Sequence, residues 1–167
     1  MKKESAGHHT VITILKYHED IEPYRGREYE FHRLFSPYEV VRREINVLLN
    51  TGIAEMWDLI IGGSANHFTN AVSQLGVGDS STAAAAGQTD LQAATNKQYN
   101  AMEATFPSRL DQTLSFKSSF GDAEANYAWE EWVVKQSTSG ICLNRKAESL
   151  GTKASGTWTL EVAITLS

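Results

Sequence analysis

Thr157-Trp158-Thr159-Leu160-Glu161-Val162-Ala163-Ile164-Thr165-Leu166 alternates apolar side chains with mostly polar ones along its whole length. Period-two alternation is the signature of a β-strand with one face on a core, so this stretch reads as a half-buried strand. Such a strand at the end of the sequence has to be tied into a sheet, because a free apolar one would fray and stick. The expectation is therefore a structural strand and not a tail.

Working back from it, short strands are expected near residues 140–147, 125–135, 112–120 and 97–104, with a further one at Leu75-Gly76-Val77-Gly78. Residues 79–87 (DSSTAAAAG) read as a small-residue loop. Short strands with turn signals between them predict a mainly β protein, an antiparallel β-sandwich-like domain or partial barrel. The helical signal is confined to one place. Ile45, Leu48, Leu49, Gly52, Ile53, Met56, Trp57, Leu59, Ile60 and Ile61 recur largely at three- and four-residue spacing, and Gly62-Gly63 supplies a stop. One helix over 44–61 is expected, packing a broad apolar stripe on a sheet and turning Glu55 and Asp58 to solvent.

The N-terminal part reads differently. Residues 1–10 are expected to be disordered, 11–17 (VITILKY) form a β-type run, and 19–26 with Pro23 look turn-like. Residues 27–35 set Tyr29, Phe31 and Arg33 against Glu28, Glu30 and His32, as an exposed or interface strand would, and Ser36-Pro37 breaks the run. The expected organisation is an N-terminal extended arm with β-type segments over 1–43, then a helix plus sandwich-like domain over 44–167. A chain of 167 residues, 41% of them hydrophobic, suits one core with an arm to spare.

Charge narrows the function classes. Residues 1–50 hold eight basic and eight acidic side chains, and the rest hold seven against twelve, for a net charge of −5. An acidic body without a basic stripe argues against nucleic acid as a partner. Cys142 is the sole cysteine, which excludes an intrachain disulfide and a Cys-based zinc site. It is expected to be a small core residue. No apolar run approaches the roughly 20 residues that span a bilayer, and the start lacks a signal-peptide pattern, so no membrane partner and synthesis in the cytoplasm are expected.

The tempting motifs have plainer readings. Gly78-Asp79-Ser80 resembles a hydrolase nucleophile block, but His8, His9, His18, His32 and His67 all precede Ser80, where that chemistry needs a late histidine base. Gly76 and Gly78 lack the strand–turn–helix setting of a dinucleotide fingerprint. A metal on His8, His9, His18 and His32 would lack a preorganised site. Adjacent Glu130 and Glu131 fall on opposite strand faces and cannot work as a carboxylate pair. Trp129 and Trp132 are likewise expected on opposite faces, one in the core and one at a rim or interface, with a sugar-stacking role as the weaker alternative. No catalytic, cofactor or metal residue is assigned, and the chain is expected not to be an enzyme. The functional hint is the arm, where Tyr17, Tyr24, Tyr29, Phe31, Phe35 and Tyr38 lie among Arg25, Arg27, Arg33, Arg42 and Arg43. That mixture suits an interface laid across a neighbour, and equally a hairpin packed on its own body.

Three blocks carry a likeness. They are Leu75-Gly76-Val77-Gly78-Asp79-Ser80-Ser81-Thr82-Ala83-Ala84 with Gln88-Thr89-Asp90-Leu91-Gln92; Phe120-Gly121-Asp122-Ala123-Glu124-Ala125-Asn126-Tyr127-Ala128-Trp129-Glu130-Glu131-Trp132; and Leu143-Asn144-Arg145-Lys146 with Gly151-Thr152-Lys153 and Gly156-Thr157-Trp158-Thr159-Leu160. Together they resemble a group of structural proteins in tailed-bacteriophage virions, over roughly residues 46–167 including the Asn50-Thr51-Gly52-Ile53 helix start. The resemblance implies a β-rich virion component without enzymatic activity. From it follows the expectation of a capsid decoration or cement protein on the capsid surface, stapling adjacent major capsid protein subunits and joining other copies of itself. The alternative is a neck, collar, tail or fibre component with receptor or glycan binding.

Overall fold

A computed structural model describes residues 7–45 and 48–166. The chain order is β1 (His8–Tyr17), a 3-10 turn (Glu22–Tyr24), α1 (Glu28–Leu34), β2 (Glu39–Ile45), α2 (Asn50–Ile61), β3 (Ser73–Gly78), β4 (Lys97–Ala101), β5 (Ser108–Leu110), β6 (Thr113–Phe120), β7 (Ala128–Gln136), β8 (Cys142–Thr152) and β9 (Thr157–Leu166). Two antiparallel sheets result, a five-stranded one ordered β2-β1-β9-β6-β5 and a four-stranded one ordered β4-β3-β7-β8. The mainly β, sandwich-like fold is the expected one.

Strand β9 lies in the middle of the first sheet, with β1 paired along all ten of its residues on one side and β6 on the other. Its apolar row, Trp158, Leu160, Val162 and Ile164, enters the core between the sheets. Ile12 and Ile14 come from β1, Phe116 and Phe120 from β6, Leu75 and Val77 from β3, and Trp132 and Val134 from β7. Trp129 makes edge-to-face contacts at 5.0 Å with both Phe120 and Trp158.

The first 45 residues depart most from expectation. Residues 1–6 lie outside the described residues, but His8, His9 and Thr10 pair with Leu166, Thr165 and Ile164. The region read as an extended arm supplies β1 and β2, so it is part of the first sheet, and the 43/44 boundary falls inside β2. Within residues 27–35, where a strand was expected, Glu28–Leu34 are helical. Acidic Glu28 and Glu30 sit in the first turn and His32 and Arg33 in the last, as a helix dipole favours. The Glu28 carboxylate takes the Gly26 N–H at 2.7 Å, and Phe31 and Phe35, one turn apart, share a face. These local bonds outweigh a short alternation.

Two further corrections concern faces. Trp129 and Trp132 are both fully buried in one core. A β-bulge shifts the β7–β8 register between Trp129 and Glu131, which reverses the alternation at that point. Helix α2 begins at Asn50, later than expected, and ends at Gly62 with φ +73. Glu55, expected on the solvated side, is buried, while Asp58 is exposed.

Candidate functional site

Helix α2 rests on β8 through Gly52, with Glu55 and Met56 to either side. A Cβ on Gly52 would collide with the Leu143 carbonyl oxygen and backbone, so only glycine permits this approach. The approach is fixed by the Leu49 N–H on the Leu143 carbonyl at 3.0 Å and the Thr51 hydroxyl on the Cys142 carbonyl at 3.0 Å. Glu55, one turn on from Gly52, accepts a hydrogen bond from the Ser64 hydroxyl just beyond the helix. With Gly52 and Glu55 inward, the stripe Ile53, Trp57, Ile60 and Ile61 points away from the body. Trp57 is 62% exposed, Ile60 71% and Ile61 77%.

Beneath and beside α2 runs a groove. Its inner part, about 360 Å³, lies between Met56 and Leu59 of the helix and Phe68, Leu114, Leu143 and Ile164 at the open end of the sandwich. Its outer part, about 690 Å³, reaches Ile53, Trp57 and Ile60 on the helix and His8 on β1. Leu48, Met56, Gln112 and Leu166 line both parts, so the two are continuous. Burial, then the neighbouring His9 charge, lowers the pKa of His8 from its ordinary value, which favours a neutral imidazole at this rim. Few polar groups line the groove (Glu55, His67 and Gln112 in the inner part), so it offers its occupant apolar contact more than hydrogen bonds.

The remaining polar clusters are closed against their own chain. On the outer face of the first sheet, Tyr17 and Phe31 are buried with Ile21, their rings 4.9 Å apart. The Tyr17 hydroxyl and His32 Nδ1 share a hydrogen bond of 3.0 Å, and His32 Nε2 meets Glu103 at 3.0 Å. Ser119 donates to Glu103 at 2.5 Å, and Lys117 lies 3.7 Å from its carboxylate. Burial raises the Glu103 pKa, but the His32 hydrogen bond, the Lys117 charge and Ser119 outweigh it and hold the carboxyl below its ordinary value. Burial and the Glu103 charge push Tyr17 up to about 12.

On the outer face of the second sheet, Glu131 and Arg145 form a fully buried ion pair of 2.6 Å. Glu131 also accepts the Gln92 and Ala93 N–H groups, at 2.9 and 2.7 Å. Arg145 donates to Gln88 Oε1 at 2.7 Å and to the Thr82 carbonyl at 2.9 Å. The pair clamps the connection between β3 and β4 onto the sheet, over Leu91, Val133 and Cys142. Burial and the Asp90 charge, partly opposed by Lys135, push the Cys142 thiol up to about 12, so it is inert at neutral pH. Ser80 bonds Thr82 within the same loop. Among the described residues no three His, Cys, Asp or Glu side chains gather as a metal-binding group, and no helix is long and apolar enough to cross a membrane.

The residues read as an arm interface are scattered by this fold. Tyr17 and Phe31 are buried, and Tyr24 and Phe35 pack beside them. Arg25 is turned onto Glu22, Glu124 and the Ser119 carbonyl, and Arg27 onto Glu30. Tyr38 stacks on His18 at 4.3 Å. Tyr29, Arg33, Arg42 and Arg43 are exposed. The sequence reading missed the α2 surface because it assigned every apolar helix residue to the core-facing stripe. The signal was present, since Ile53, Trp57, Ile60 and Ile61 follow a one-face spacing that excludes Gly52 and Glu55. Comparison of the chain with family models, with curated proteins and with solved structures gave no match.

Proposed function

We propose that this chain is a non-enzymatic structural protein of a tailed-bacteriophage virion, a decoration or cement protein of the capsid surface that docks on the major capsid protein through α2. The observation that carries the reading is the outward apolar stripe of α2, continuous with the groove beneath it. Large exposed apolar patches rimmed by polar residues mark interaction sites, and aromatic anchors such as Trp57 supply most of the energy at such sites. The sequence resemblance to virion structural proteins covers the same region, from the helix start onward. Cementing through a rigid helix face replaces stapling by an arm, because β1 and β2 of that region are paired into the first sheet and α1 packs beside them. A small interface suffices for cementing, since a symmetric particle repeats it many times. The glycan-platform variant of the tail reading loses its aromatics, as Trp129 and Trp132 are enclosed.

The test is add-back to purified heads that lack the protein. Wild-type chain is expected to co-sediment at a simple ratio to the major capsid protein and to label the whole head. Trp57→Lys, at a side chain that contributes little to the fold, is expected to lose at least about tenfold in occupancy, the order of effect of an aromatic anchor. Label confined to the neck or tail would overturn cementing. Unchanged binding by Trp57→Lys would overturn the docking face.

A further inference from the structure

Four strands bound the two sheets, β2 and β5 in one and β4 and β8 in the other. Three of these edges are poor templates for another chain. Strand β5 has three residues and β4 five, and β8 has two register shifts against β7 and carries α2. The fourth is different. All seven residues of β2 pair with β1 without a shift, and Glu39, Val40, Arg42, Arg43 and Glu44 are exposed. Among the described residues nothing covers this edge, and a regular edge leaves a row of backbone N–H and C=O groups open to pairing. The Arg43 guanidinium rests on the Arg42 carbonyl at 3.0 Å and has to turn from it to reach a partner carboxylate.

We propose that β2 pairs antiparallel with β2 of a second copy, about a two-fold axis through Val41, joining two five-stranded sheets into one continuous sheet. The charge pattern selects this partner and this register. A two-fold axis normal to the sheet sets each residue opposite one from the same face, so it must pass through a residue. An axis through Arg42 or Arg43 would set arginine against its own copy, and one through Glu39 or Glu44 would do the same with glutamate; like charges directly opposite are destabilising. An axis through Val40 sets no charge of the strand opposite an opposite charge. An axis through Val41 sets Val41 against Val41, and Glu39 against Arg43 of the second copy twice over. On the other face it sets Tyr38 against Glu44. Lys16 already holds Glu39 on this face, Nζ to Oε2 at 3.0 Å, and the half-exposed Glu39 carboxylate keeps its other oxygen for the incoming guanidinium. This surface is separate from α2, so self-association stands or falls apart from docking on a capsid.

Sedimentation equilibrium of the full chain tests it. A reversible dimer is expected for wild type. Arg43→Glu and Glu39→Arg are each expected to weaken it about tenfold, because each change acts twice across the axis. The double charge swap, Glu39→Arg with Arg43→Glu, is expected to restore the dimer to within a few-fold, and Trp57→Lys to leave it unchanged. A chain monomeric at every concentration, a dimer indifferent to Arg43→Glu, or a double swap as weak as the single changes would overturn the proposal. Circular dichroism confirms that each variant is folded.

Discussion

Helix α1 turns Phe31 into an enclosed aromatic cluster on the first sheet, whereas α2 turns Trp57, Ile60 and Ile61 outward and rests on β8 through Gly52. Both helices lie against a sheet, and both carry more apolar side chain than a solvated surface needs. The difference is in what holds them. Helix α1 is held by ring packing together with the Tyr17–His32–Glu103 hydrogen bonds. Helix α2 is held by backbone approach at Gly52 and by Met56 against the core, which leaves the stripe of Ile53, Trp57, Ile60 and Ile61 unused. Removing side chains from α1 should therefore cost folding free energy, and changing the stripe of α2 should cost binding.

The largest expected effect is at Phe31. Truncation to Ala removes the centre of a cluster that touches Tyr17, Tyr24, His32 and Phe35. A loss of about 3–5 kcal/mol in urea unfolding is expected. If Phe31→Ala unfolded no earlier than wild type, α1 would be an applied cover with no part in stability, and the contrast with α2 would fail.

Gly52→Ala comes next. Its Cβ meets backbone and no flexible side chain, so the helix has to lift from β8 and weaken the Leu49 and Thr51 bonds. A loss of about 2–3 kcal/mol is expected, in the range of overpacked sites. A neutral outcome would mean that α2 can shift along β8 without penalty, and that the groove is not a fixed shape.

Much of this architecture was legible in the sequence. The alternation of β9 located its faces and its need for partners, and Gly62 marked the end of α2. What escaped depends on contacts distant in sequence. The ten-residue pairing with β9 that brings β1 into the sheet is set by β9 and leaves little local trace beyond a β-type run. The bulge that puts Trp129 and Trp132 in one core is a register event between β7 and β8, invisible to a period-two reading. Glu55 and Glu131 are charged residues that ordinary surface preference assigns to solvent. Each is buried because a partner from elsewhere, Ser64 or Arg145, satisfies it. The α2 stripe was misread for the opposite reason, since periodicity identifies an apolar face and cannot say whether this chain or another covers it.

The smallest expected effect lies at Glu103, and its pH dependence separates electrostatic locking of α1 from packing. The groups facing this carboxylate are His32 from α1, Lys117 and Ser119 from β6, and Tyr17 from β1. They hold its pKa below the ordinary 4.5 in the folded protein. A carboxyl with a depressed folded pKa contributes stability that is fully present above its unfolded pKa and is lost as pH falls through its folded one. Glu103→Gln keeps the shape and removes the charge, so it is expected to cost about 1–2 kcal/mol at pH 7. Measured from pH 7 down to pH 3, the gap between wild type and variant should narrow only below about pH 4.5. A gap constant across that range would mean that Glu103 acts through shape alone. Phe31 and its neighbouring rings would then hold α1 with no electrostatic help, and the two helices would differ only in how closely their apolar faces are covered.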